Sequence, residues 1–307
     1  MKTLLTLLLI TAAPLLHAAE EKRALLLVIG EPGNALYQDE FRRQAKVWQD
    51  LAAKAKMEAN TIGLGDEPAD GDKPSLSKAI AALPKTGGDL WLVLIGHGTY
   101  DGRSAKFNLR GPDIEATEVA ELLKPFQRRL IVLNLFSASG PFVEPLAGKD
   151  RVIVSASRGG ERNYARLGEK LADSLNSADA DLDLDGSLSL LEAVLHASAT
   201  TKAFYDDAQR VVAEHAVIDD NGDGKGTGTD KFKGLRAEGP AADGSLAREI
   251  HFLGDSADPL APAAREERTK LEAEIEALRQ RKKELKEDDY YAGLEKLMRR
   301  MAKLYGK

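Results

Sequence analysis

The chain has 307 residues, 43% of them hydrophobic, with 49 acidic residues against 43 basic ones and a formal net charge of -6. That length and apolar content suffice for one large domain or two with a normal core, and the acidic balance excludes the basic stripe that nucleic-acid binding requires. There is no cysteine, which excludes disulfide staples, thiolate metal sites and a thiol nucleophile.

Met1-Lys2, an apolar run from Leu4 to Leu16, and His17-Ala18-Ala19-Glu20 have the three parts of a secretory signal peptide. The run is shorter than the ~20 residues of a spanning helix and contains Pro14, so cleavage after Ala18 or Ala19 is expected. Residues 1–19 then form the signal, and the mature chain, with no membrane span, resides in the periplasm or outside the cell. The run from Arg23 to Gly30 predicts a strand buried on both faces. Phe41, Ala45, Trp48, Leu51 and Ala52, at steps of three and four, predict a helix over 37–57. A loop over 65–74 and a short helix over 76–83 precede a second apolar strand that ends in Gly96-His97-Gly98. A short strand at 106–109 and a helix over 115–123 lead to a third strand, ending in Ser137-Ala138-Ser139-Gly140. The fourth spans 151–157. This alternation predicts an α/β fold, a mostly parallel sheet with helices on both faces. Tyr164, Leu167, Leu171 and Leu175 predict a helix over 162–176, and another is expected over 189–214. Past Pro259 and Pro262 the composition shifts to Glu, Lys, Arg and Leu. Leu271, Ile275, Leu278 and Leu285 follow a coiled-coil spacing, and Leu294, Leu297, Met298, Met301 and Leu304 line a further helix. Residues 261–307 therefore read as a helical hairpin or short coiled coil, either docked on its own body or serving self-association, with 20–260 as the main domain.

An acidic loop separates the helices expected over 162–176 and 189–214. Asp181, Asp183 and Asp185 supply monodentate oxygens, Gly186 permits a sharp turn, and Ser187 offers its carbonyl. Ser189 can hold a water, and Glu192 can chelate with both oxygens. This is the EF-hand pattern over 181–192, and such a set of hard oxygen donors suits Ca2+ in a structural role. A second stretch, with Asp219, Asn221, Asp223 and a closing Asp230, repeats the opening of that pattern but has Gly226 where an apolar residue normally turns inward. Two readings stay open for it, a second metal loop and a glycine-rich turn.

The two turns Gly96-His97-Gly98 and Ser137-Ala138-Ser139-Gly140 resemble those of the clan of cysteine peptidases that holds caspases, legumains and gingipains. The resemblance implies a caspase-like sheet carrying the EF-hand as an insertion. It implies His97 as general base, Ser137 at the nucleophile position, and the amides of Gly98 and Ser137 as an oxyanion hole. The clan's cysteine is replaced here by serine, and a hydroxyl needs a closely placed base that is itself oriented by a third group. Asp101 and Asp113 follow His97, but no spacing assigns either that task. The expectation is an inactive peptidase homologue, a scaffold for peptides or proteins; the other reading is a peptidase or esterase using Ser137 and His97. His196, His215 and His251 have no second ligand at metal spacing.

Overall fold

The four continuous apolar runs become the central strands of one sheet, and their burial on both faces explains why they do not alternate with polar residues. The computed structural model describes residues 22–161, 164–237, 239, 243–253, 260–282 and 284–306. The expected signal over 1–19 lies outside these residues. In chain order the elements are β1 (Ala24–Ile29), α1 (Ala35–Lys54), β2 (Glu58–Ile62), α2 (Asp72–Ala82), β3 (Leu90–Gly96), β4 (Gly98–Tyr100), β5 (Ala105–Phe107), β6 (Ile114–Glu115), α3 (Ala116–Leu123), β7 (Leu130–Phe136), α4 (Val143–Leu146), β8 (Arg151–Ser155), α5 (Leu167–Ser174), α6 (Leu190–Asp207), β9 (Val217–Asp219), β10 (Thr227–Gly228), β11 (Phe232–Lys233), β12 (Arg236–Ala237), α7 (Ser245–Glu249), α8 (Pro262–Gln280) and α9 (Glu287–Leu304).

The main sheet runs β10-β9-β8-β7-β3-β1-β2. Pairs from β2 to β8 are parallel, while β9 runs antiparallel to β8 and β10 antiparallel to β9. Successive side chains leave a strand on opposite faces. Leu25, Leu27, Trp91, Val93, Ile131, Leu133 and Val154 pack with α1, α5 and α6. Leu26, Val28, Leu92, Leu94, Val132 and Ile153 pack with α2, α3 and α4 on the other face. The α/β architecture with a mainly parallel sheet flanked by helices is as expected. No helix among the described residues is long and apolar enough to cross a membrane.

Several elements depart from the expected pattern: α2 begins at Asp72 rather than 76, β9 to β12 and α7 fall where no element was expected, and three others have a physical reason. β2 reads Glu-Ala-Asn-Thr-Ile, mostly exposed at the sheet edge, and has no apolar run to announce it. α5 begins at Leu167 rather than 162, and α6 ends at Asp207 rather than 214, with Gln209 in the left-handed region at φ 53°. One side chain accounts for both limits. Glu214 leaves the helix path, and its carboxylate accepts the amides of Arg166, at 2.8 and 3.0 Å, and Leu167, at 3.2 Å, at the open N-terminus of α5.

The C-terminal hairpin forms from α8 and α9. Leu271 and Ile275 of its seam and Tyr290 are buried within this chain. Arg248 pairs with Glu272 and so fastens α8 to α7.

On the α2 side, Asp72 is buried and binds Arg110 at 2.6 and 2.8 Å, while Arg110 also donates to the Gly65 carbonyl at 2.6 Å. Removing one partner of a buried pair strands the other charge. Asp72→Ala is expected to lower the unfolding free energy by about 3 kcal/mol, read from the midpoint of urea denaturation.

Candidate functional site

In an open α/β sheet the carboxyl ends of parallel strands form the ligand crevice. β3 and β7 are neighbours there, with Gly96 opposite Phe136, so the turn carrying His97 and the turn carrying Ser137 lie side by side. The contact between them is backbone-close. A side chain at Gly98 would run into the Ser137 carbonyl and the Phe136 ring. Ser137 is 4% exposed as a residue, and its hydroxyl accepts the Gly98 amide at 3.2 Å and donates to the Gly98 carbonyl at 3.3 Å.

Ala138 follows in the left-handed region at φ 57°, a conformation that costs a non-glycine residue about 1–3 kcal/mol. Buried serines hold the turn in place. Ser139 Oγ lies 3.3 Å from Ser157 Oγ and accepts the Ser157 amide at 3.2 Å, while Ser157 Oγ accepts the Gly140 amide at 3.0 Å. Ala138 itself donates to the Glu161 carbonyl at 2.7 Å.

His97 turns its ring the other way, into an aromatic group. The centroid of Tyr37 lies 4.7 Å off edge-on, with Phe41 at 5.4 Å and Tyr164 at 6.0 Å. Burial lowers the imidazole below its ordinary value, opposed by the Pro32 carbonyl and the Glu31 charge. Among the described residues no hydrogen bond joins the His97 ring to Ser137, and the Gly98 amide expected in an oxyanion hole is engaged by the serine. Asp101 accepts the Arg103 and Ser104 amides at 2.8 and 2.9 Å, and Asp113 accepts the Leu109 amide at 3.2 Å. Tyr37 and Tyr164 also line an open cleft with Leu36, Arg166, Phe204 and Val211, of which Leu36 and Val211 are almost fully exposed. The Arg166 guanidinium stacks 3.9 Å from the Phe204 ring.

A base held below its unfolded value adds stability above the unfolded value and loses it as pH falls through the folded one. The His97 ring is therefore expected to titrate with a midpoint below 6.5 in an NMR pH series, and a midpoint at or above 6.5 would contradict its placement.

The acidic loop ahead of α6 brings together the three aspartates of its expected donors. Oxygens of Asp181, Asp183 and Asp185 lie within 4.8 Å of one another and could hold one metal ion. Leu184 at φ 58° and Gly186 at φ 87° bend the chain, and Asp181 accepts the amides of Asp185 at 3.2 Å and Gly186 at 2.9 Å. Glu192 reaches back into the loop. Its Oε1 accepts the Leu182 and Asp183 amides at 2.9 and 3.2 Å, and its Oε2 accepts the amide and hydroxyl of Ser189, the N-cap of α6, at 2.9 and 2.7 Å. Although Asp183 is exposed as a residue, its carboxyl is set down inside the loop. Desolvation, then the charges of Glu192 and Asp185, push it up to about 7.

Two neighbours of this loop had no signal in the sequence. Arg268 of α8 binds Asp185 at 3.0 Å, and the stretch around His251 pairs with the loop's exit, with the Ser187 hydroxyl 2.7 Å from His251 Nδ1. His196 Nδ1 meets the Ser174 hydroxyl at 2.8 Å, and His215 meets Glu161 at 2.8 Å. In the second stretch, Asp219 ends β9 and is followed by Asn221 and Asp223 in a turn. Asp230 instead forms an ion pair with Arg158 at 2.6 Å, and the carboxylate that closes on this loop is that of Asp243.

No family model and no curated protein matches the chain. Among solved structures it is similar to a protein of Geobacter sulfurreducens, at 14% identity over 64% of this chain and 92% of that one, with a TM-score of 0.44. The Drosophila initiator caspase Dronc is similar at 13% identity over 68% of this chain and 82% of that one, TM-score 0.44. Caspase-1 from Spodoptera frugiperda is similar at 9% identity over 66% and 87%, TM-score 0.44. Likeness at this level bears on no residue of the site.

Proposed function

We propose that this chain is an exported, calcium-braced protein of the caspase-like α/β class that binds extended peptide or protein segments at the carboxyl ends of its strands without cleaving them. The observation that carries this reading is Ser137, a buried residue whose hydroxyl donates its one proton to the Gly98 carbonyl and accepts the Gly98 amide. A serine becomes a nucleophile when a base accepts its proton. The candidate base on the neighbouring turn, His97, packs its ring against Tyr37, Phe41 and Tyr164 instead. The cleft beside it sets aromatic and exposed aliphatic surface among the charged side chains of Glu40, Arg166, Glu169 and Arg210, a mixed lining that suits an extended segment carrying both polar and apolar side chains.

Calcium suits the loop over 181–192 because every donor is a hard oxygen: Asp181, Asp183, Asp185, the Ser187 carbonyl, Ser189 through a water, and Glu192. When bound, the ion would offset two of the four negative charges of Asp181, Asp183, Asp185 and Glu192 and tie the start of α6 to the chain before it. Outside the cytoplasm, modules of this kind bind in the range of about 10⁻⁴–10⁻³ M.

Two measurements test the reading. A fluorophosphonate probe is expected to leave the wild-type protein unlabelled; labelling that disappears in both Ser137→Ala and His97→Ala would establish a serine hydrolase instead. Saturating calcium at a hundredfold excess over Kd is expected to stabilise the wild type by about 2.7 kcal/mol per site, seen as a rise in Tm. Asp181→Ala should lose part of that rise, and an equal response from both proteins would remove the loop from consideration.

A further inference from the structure

The turn after β9 reproduces the hydrogen bonds that close the first acidic loop, with the closing residue supplied from elsewhere in the chain. Leu184 and Gly186 are left-handed in the first loop, at φ 58° and 87°; Gly222 and Gly224 are left-handed in the second, at φ 79° and 76°. Asp185 accepts the Ser187 amide at 2.8 Å, and Asp223 accepts the Lys225 amide at 2.9 Å. Glu192 Oε1 accepts the amides of Leu182 and Asp183, at 2.9 and 3.2 Å. In the second loop the matching pair, Asp220 and Asn221, donates at 2.9 and 3.1 Å to Asp243 Oδ1. The other oxygens correspond too. Glu192 Oε2 accepts the Ser189 hydroxyl at 2.7 Å, and Asp243 Oδ2 accepts the Thr227 hydroxyl at 2.6 Å. Even the backbone agrees, since the amides of Glu192 and Asp243 each donate to that same hydroxyl oxygen at 3.3 Å.

Asp243 is brought there by its neighbour. The Asp220 carboxylate accepts the amides of Gly244 and Ala247, both at 2.8 Å, which docks the start of α7 against the loop. This approach from a separate segment lets aspartate, one methylene shorter, stand where glutamate stands in the first loop.

A second observation points to a ligand independently of these bonds. Asp219 is 1% exposed, and among the described residues its Oδ2 is buried with no hydrogen-bond partner, while Oδ1 accepts the Gly222 amide at 3.0 Å. The charges of Asp243 and Asp223 both bear on it. A buried carboxylate oxygen left unsatisfied beside two like charges is destabilising by itself, and a divalent cation would satisfy it.

We infer that Asp219, Asn221, Asp223, the Lys225 carbonyl and Asp243 form a second calcium site of EF-hand geometry, with Asp243 rather than Asp230 as its closing carboxylate. It has three carboxylates where the first loop has four, so it binds more weakly. The inference does not depend on the first loop holding an ion.

Calorimetric titration of the full chain with calcium, after chelator treatment, tests it. Wild type and Asp230→Asn are expected to bind two ions, Asp243→Asn one and Glu192→Gln one. In Glu192→Gln protein calcium should still raise Tm, and adding Asp219→Asn should abolish that rise. This second measurement keeps its meaning should Asp243→Asn fold poorly. Two undiminished sites in Asp243→Asn, loss of one in Asp230→Asn, or a calcium response in Glu192→Gln that survives Asp219→Asn would overturn the assignment. A single ion, kept in Glu192→Gln and lost in Asp243→Asn, would sink the first-loop reading and leave this one standing.

Discussion

The close approach of the chain at the ends of β3 and β7 governs the rest of the candidate site. Parallel pairing sets Gly96 beside Phe136, and the next residues meet backbone to backbone because Gly98 has no side chain to hold them apart. Ser137 is drawn into that contact and becomes part of the seam between strands. The same geometry that puts two reactive-looking turns next to each other thus removes the hydroxyl from the crevice. His97, one residue earlier on its strand end, points into the aromatic layer under α1.

The strained turn after Ser137 is supported as though its shape mattered. A left-handed alanine costs free energy, and the Ser139 and Ser157 hydroxyls hold the surrounding backbone in place. The network fixes the backbone where β7 and β8 end, beside the turn that carries His97.

How far the sequence revealed this depends on whether the relevant residues are contiguous. The central strands were legible because each is an unbroken apolar run, and the first acidic loop because all its donors fall within twelve residues. β2 was not legible, since an edge strand with three exposed residues has no pattern to separate it from a loop. The end of α6 was misplaced because Glu214 serves a different helix, a contact that no local spacing encodes. Asp243 escaped for the same reason, and Asp230 stood in the position that counting along the chain would choose. Arg158 takes Asp230 instead.

Arg268 lies on α8 yet binds Asp185, a donor of the first loop, and also the Tyr305 hydroxyl beyond α9. An arriving cation and the guanidinium draw on the same carboxylate. By thermodynamic reciprocity, whatever loosens the terminal arm would alter the grip on an ion in the loop, and an ion filling the loop would alter the seating of the arm by an equal amount. The last helices of the chain would in this sense belong to the environment of a metal held by Asp181, Asp183 and Asp185.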